Sequence, residues 1–96
     1  MTYMIELTKK KNQRFSDVSY HQHKLVLQDL ISEGIVLNYA ESTSKEKFWI
    51  IIEADSEAAA IDYISDLNIL SALKLSLIPI FTNVSNLSEG VVYSLN

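Results

Sequence analysis

The chain has 96 residues, enough for one domain, and its hydrophobic fraction of 48% is ordinary for a globular protein and too high for a disordered one. Eight Lys and Arg side chains against twelve Asp and Glu give a formal net charge of −4 without a basic stripe, which argues against a nucleic-acid partner. The absence of cysteine excludes a disulfide framework, a thiolate zinc site and a catalytic thiol. The apolar runs are far shorter than the ~20 residues of a membrane helix, so we expect no membrane partner and a soluble, cytoplasmic domain.

The first half of the chain predicts a strand, a helix and a second strand. Residues 2–8 alternate with the period of a strand, and residues 35–42 predict another. Ser16 can cap the helix between them, and Gly34 can end it. The apolar side chains of that helix are expected to share one broad face: Tyr20, Val26, Leu27, Leu30 and Ile31.

The second half predicts a hairpin, a second helix and a fourth strand. Residues 48–54 form the third strand, and its three consecutive isoleucines, residues 50–52, make it apolar on both faces. In so small a domain, the second face is most simply covered by another subunit. A helix capped by Asp55-Ser56 follows, with Ile61, Ile64 and Leu67 as its buried stripe.

The fourth strand is predicted over residues 74–81, where Pro79 suits an edge strand because it lacks a backbone N–H. The order is therefore β-α-β-β-α-β, an α+β ferredoxin-like fold with an antiparallel sheet. We expect one domain over residues 1–83 and a C-terminal tail over residues 84–96, whose strand-like end could pair with a partner subunit.

The two histidines, His21 and His23, cannot chelate one metal ion, because residues two apart on a helix point about 160° away from each other. We therefore predict no metal site. His23 falls on the apolar face of the first helix, where it could act as a general acid or base at a pocket. The alternative is a histidine at the edge of the core, hydrogen-bonded to a carbonyl group.

Other side chains could shape a ligand pocket. Tyr39 and Glu41 share one face of the second strand, and Trp49 lies on the neighbouring strand; ordinary packing is the alternative for all three. Glu6 on the first strand could be a catalytic acid or could face a wet subunit interface. The basic loop of residues 9–14 could attract an anionic substrate, although such runs are usually solvated.

Residues 34–56 and 67–80 resemble the muconolactone isomerase family of the dimeric α/β-barrel superfamily. The resemblance rests on four segments: Gly34-Ile35, the aliphatic strand Phe48–Glu53 with the cap Asp55-Ser56, the Leu-rich run Leu67–Leu73, and Leu77–Ile80. It implies a homo-oligomer, either a dimer or a higher ring, with a pocket between the helices and the sheet of each subunit. It also implies that His23 lies near that pocket.

The chain departs from this family where the family carries its chemistry. The family's Leu-Trp-Arg on the second strand is Tyr39-Ala40-Glu41 here, and its His-Pro-Ser-Ser after the last strand is absent, with Thr82-Asn83-Val84 nearby. Muconolactone isomerase activity itself is therefore not expected.

Two functions remain open. The first is a small enzyme without metal or organic cofactor that transfers protons on a cyclic or aromatic-derived metabolite. His23 would be its catalytic residue, and Tyr20, Tyr39, Glu41 and Trp49 would line its pocket. The second is a non-catalytic module of the same fold that binds a small ligand or holds an oligomer together.

Overall fold

The computed structural model describes residues 1–67 and 69–80, so the predicted tail, residues 84–96, lies outside the described residues. Within the described residues, four strands and two α-helices follow one another in the order β-α-β-β-α-β, with a short 3₁₀ helix, Leu70–Ala72, before the last strand. Their bounds are β1 Thr2–Lys9, α1 Asp17–Ser32, β2 Val36–Glu41, β3 Lys47–Glu53, α2 Glu57–Ile64 and β4 Leu73–Ile80.

The four strands form one antiparallel sheet in the order β2-β3-β1-β4. The hairpin strand β3 and the N-terminal strand β1 are central, and β4 lies at an edge, where it pairs with β1. Pro79 therefore sits on an edge strand, as its missing donor requires. This order and connectivity are those of the ferredoxin-like fold, which confirms the predicted fold class.

The hydrophobic core lies between the sheet and the two helices. The central strands turn alternate side chains toward it, and all of these have at most 3% of their surface exposed: Tyr3, Ile5, Leu7, Phe48, Ile50 and Ile52. Leu27 and Leu30 of α1 and Ala60 and Ile64 of α2 cover them. Both helices therefore lie on one face of the sheet.

Two predictions about the helix faces were wrong. Ile31 of α1 is 47% exposed and Ile61 of α2 is 42% exposed, although both were expected in buried stripes. On α1 the buried face is centred on His23, Leu27 and Leu30, and Ile31 lies roughly 75° around the helix from that centre. Ile61 stands in a similar relation to the buried pair of α2, so both side chains reach the solvent edge.

Capping side chains fix where the two helices begin. Ser16 Oγ accepts a hydrogen bond from the Ser19 backbone N–H at 3.0 Å, and Ser56 Oγ accepts one from Ala59 at 3.1 Å. The chain leaves α1 through Gly34, whose φ of +77° is readily adopted only by glycine. The backbone conformation of Gly34 therefore sets the turn that leads from α1 into β2.

The opposite face of the sheet carries apolar side chains that no described element covers. Strand alternation directs Met4, Trp49, Ile51 and Ile78 to this face, and Ile78 is 47% exposed. Ile50 and Ile52 point into the core instead, so β3 is apolar on both sides as the sequence indicated. Among the described residues, no helix combines the length and apolarity needed to cross a membrane.

Candidate functional site

Five side chains from α1 and β2 form a polar group at the edge of the core, which we call the His23 cluster: Tyr20, His23, Lys24, Tyr39 and Glu41. Tyr20 and Lys24 are one helical turn apart on α1, and His23 lies between them toward the sheet. Tyr39 and Glu41 are two residues apart on β2 and so share its helix-facing side. The fold thus brings together four of the five predicted site residues and adds Lys24.

The hydrogen bonds of Tyr39 fix the protonation of the histidine ring. The Tyr39 hydroxyl donates its single proton to Glu41 Oε2 at 2.8 Å. His23 Nε2 lies 3.1 Å from the same hydroxyl oxygen, so Nε2 must carry a proton and donate it. His23 Nδ1 is then an unprotonated acceptor, and it is buried without a hydrogen-bond partner among the described residues.

Glu41 is the charged end of the cluster. Its Oε1 accepts hydrogen bonds from the Tyr20 hydroxyl and from Lys24 Nζ, the latter at 3.3 Å. The side chains of Glu41 and Lys24 are 24% and 34% exposed, so this ion pair reaches solvent. A continuous chain of hydrogen bonds therefore runs from the surface through Tyr39 to His23.

The His23 end of this series of hydrogen bonds is closed to solvent. His23 has no exposed surface, and three aromatic rings pack around it. The ring centroids of Phe48, Tyr39 and Tyr20 lie 5.4, 5.8 and 6.1 Å from that of the imidazole. A substrate would have to separate α1 from β2 to reach the ring.

The surroundings of His23, Tyr39 and Glu41 move the pKa of each side chain away from neutral pH. Burial, with a smaller contribution from the Lys24 charge, lowers the pKa of His23 to about 4. Burial and the hydrogen bond to Glu41 raise the pKa of Tyr39. Burial acts to raise the pKa of Glu41, but the hydrogen bonds from Tyr20, Tyr39 and Lys24 outweigh it, and that pKa is lowered. At neutral pH the cluster therefore holds a neutral imidazole and a carboxylate.

The structure does not bring Trp49 to the cluster. Trp49 lies opposite Ala40 and Glu6 on the uncovered face, where its Nε1–H donates to Glu6 Oε2 at 2.9 Å. Lys47 Nζ lies 3.7 Å from the same oxygen, so Glu6 is paired on that face. Alternation explains the separation, because Phe48 and Ile50 occupy the positions of β3 that face the helices.

Sequence reasoning missed Phe48 and Lys24 as members of this site. Phe48 stacks on Tyr39 with centroids 6.4 Å apart and forms the floor under His23. The helical spacing of Tyr20 and Lys24 could have indicated a pair, whereas nothing in the sequence ties Phe48 to the histidine. Within residues 1–67 and 69–80, no three His, Asp or Glu side chains come together in a way that could hold a metal ion.

Comparison with known proteins gives little further guidance. No protein-family model matches the chain, and no curated protein matches it. A similar solved structure is that of a Deinococcus radiodurans protein described as a candidate antibiotic biosynthesis monooxygenase. The two share 16% sequence identity with a TM-score of 0.43, over 84% of this chain and 93% of that one. A likeness of this size assigns no activity, and the fold assignment rests on the strand order described above.

Proposed function

We propose that the chain is a non-catalytic module of the ferredoxin-like fold that binds a small ligand and assembles with a second copy. The observation that carries this proposal is the complete burial of His23. A general acid or base must reach its substrate, and it works best with a pKa near the working pH. His23 has no exposed surface and a pKa of about 4, so it stays neutral and enclosed at pH 7.

The sheet face that no described element covers supports assembly with a second copy. At the usual strand spacing and rise, four strands of this length present roughly 500 Å² of flat area before side-chain relief is counted. A standard interface buries about 800 Å² of accessible surface on each partner. Met4, Trp49, Ile51 and Ile78 supply an apolar centre, and a two-fold dimer would place the same patch on both sides.

An enzyme is the second candidate, and the hydrogen-bond chain from His23 through Tyr39 to Glu41 favours it. If a ligand separated α1 from β2, it would meet His23 Nδ1, an acceptor that has no described partner. That nitrogen could take a proton from a small cyclic or aromatic-derived metabolite while Tyr39 and Glu41 hold the ring in place. This is the isomerase-like proton transfer that the sequence resemblance implies, without metal or organic cofactor.

One screen separates the two functions. Lactones and small aromatic acids are incubated with the protein, and NMR of the compounds reports both binding and chemical change. His23→Gln keeps a donor for Tyr39 but removes the base, and His21→Gln, on the exposed side of α1, is the matched control.

Compounds that bind and remain unchanged support the module. Turnover that His23→Gln abolishes and His21→Gln retains overturns the module and establishes the enzyme. If nothing binds and sedimentation shows a monomer, both parts of the proposed function fail.

A further inference from the structure

The positive charges of this acidic chain are gathered at one end of the sheet. The end of β1 and the β1–α1 loop carry four of them, and the β2–β3 turn, the start of β3 and the start of β4 carry three more. Strand register brings these segments together, because Thr8 pairs with both Lys47 and Lys74. The seven residues are Lys9, Lys10, Lys11, Arg14, Lys45, Lys47 and Lys74, and the eighth cation of the chain, Lys24, belongs to the His23 cluster.

A cleft opens at this basic end between the β1–α1 loop and the β2–β3 turn. It has a volume of ≈ 230 Å³ and is lined by Lys9, Arg14, Phe15, Ser44 and Lys45, which we call the basic cleft. A second hollow of ≈ 310 Å³ adjoins it at Lys9, lined further by residues 10–12 and Glu46. Backbone hydrogen bonds from Lys9 to Glu46 and from Lys45 to Ser42 tie the two walls to the sheet.

The cations of the basic cleft are poorly neutralised by the protein itself. Arg14 makes no hydrogen bond or ion pair with any described residue. Lys45 Nζ lies 4.6 Å from the centroid of the Tyr20 ring, a cation–π contact that leaves its charge uncompensated. Glu46 lines the adjoining hollow, and its Oε2 lies 3.9 Å from Lys9 Nζ. The site thus carries net positive charge in a protein whose overall charge is −4.

One wall of the basic cleft is aromatic and firmly supported. Phe15 is half-buried and stacks on Tyr20, with centroids 6.0 Å apart and planes 13° apart. Its ring also packs against Phe48 at 6.1 Å, so it is anchored to the core. An apolar wall beside unpaired cations favours an organic anion over a purely inorganic one.

We propose that the basic cleft binds a small carboxylate with an aromatic body. Arg14 offers a planar pair of donors that matches a carboxylate, Lys45 adds a second charge, and Phe15 receives the ring. This inference gives a ligand class to the binding function proposed above and rests on it. The binding position is distinct from the His23 cluster, because neither Arg14 nor Lys9 belongs to that cluster.

The test is a titration of the ¹⁵N-labelled protein with benzoate and, in parallel, with benzyl alcohol, its neutral counterpart. Two variants each remove one positive charge from the same end of the sheet: Arg14→Gln inside the cleft and Lys74→Gln outside it. We expect benzoate to shift the amide signals of residues 9–15 and 44–46. We expect Arg14→Gln to weaken benzoate binding about tenfold or more, as the loss of a charge-assisted bond implies, and Lys74→Gln to change it less than twofold.

Four results would overturn the proposal. Equal affinity for benzoate and benzyl alcohol would show that charge plays no part, and an equal effect of the two variants would show unspecific attraction to the basic end. Tighter binding of inorganic phosphate than of benzoate would show that the Phe15 wall does not contribute to binding. If benzoate instead shifted the signals around His23 alone, the ligand-binding function would stand and its assignment to the basic cleft would fail.

Discussion

Acid should destabilise the protein through His23, at a pH where carboxylates are still ionised. The imidazole is fully buried, and its pKa is about 4 in the folded chain against 6.5 in the unfolded one. Between these values the unfolded state binds more protons, so the stability conferred by the buried neutral ring is present above pH 6.5 and is lost as pH falls toward 4. The full difference is worth about 3 kcal/mol, of which about 2 kcal/mol is lost between pH 7 and pH 5.

Urea unfolding at pH 7, 6 and 5 measures this loss. For a domain of this size, a loss of about 2 kcal/mol lowers the urea midpoint by roughly 1–2 M. His23→Gln removes the titrating group and should flatten the dependence over this range, while the exposed His21→Gln should leave it as in the wild type. NMR of the imidazole nitrogens should also show Nε2 protonated and Nδ1 bare at pH 7.

Two results would refute this account of His23. The first is a midpoint that does not move between pH 7 and pH 5 in the wild type. The second is a fall of equal size in His23→Gln, which would place the titrating group elsewhere. Either result would mean that water or a ligand reaches the ring, and the closed site that supports a non-catalytic module would be lost with it.

Three further changes test other parts of the structure. Tyr39→Phe should lower the free energy of unfolding by about 1–2 kcal/mol in the same urea assay, because His23 Nε2 and Glu41 Oε2 both lose a hydrogen-bond partner. Tyr63→Phe, at an exposed position, is the control and should have no measurable effect. Ile78→Lys should abolish the proposed dimerisation in sedimentation experiments, whereas Ile61→Lys, at a similarly exposed position on α2, should not. Gly34→Ala should raise no clash but should lower the thermal midpoint through a backbone cost of about 1–2 kcal/mol, since φ there is +77°.

The fold was predictable because its local cues agree with one another. Serine caps, the stop at Gly34, strand periodicity and Pro79 on an edge strand all require the same order of elements. The buried faces of the helices were less predictable, since an apolar side chain at the margin of the apolar stripe can point either into the core or toward solvent. Ile31 and Ile61 both turned outward because the buried faces are centred elsewhere.

Four members of the candidate site were predictable from the sequence, but their arrangement was not. A register shift between Val36 and Asn38 leaves Leu37 exposed and turns Val36 and Tyr39 to the same side of β2. Strict alternation in the sequence gives no indication of such a bulge. The same limit applies to Trp49, whose side of the sheet depends on the pairing of β3 with both of its neighbours.

Tyr20 joins the two proposed parts of the molecule. Its hydroxyl donates to Glu41 in the His23 cluster, while its ring stacks on Phe15 and lies under Lys45 at the basic cleft. A carboxylate that drew Lys45 away from this ring would change the surroundings of the cluster without touching His23. Arg14 lines the cleft and makes no hydrogen bond or ion pair with the described residues of the cluster, so Arg14→Gln tests the cleft, whereas His23→Gln tests the cluster. The two proposals can therefore fail separately, although the residues that carry them are packed side by side.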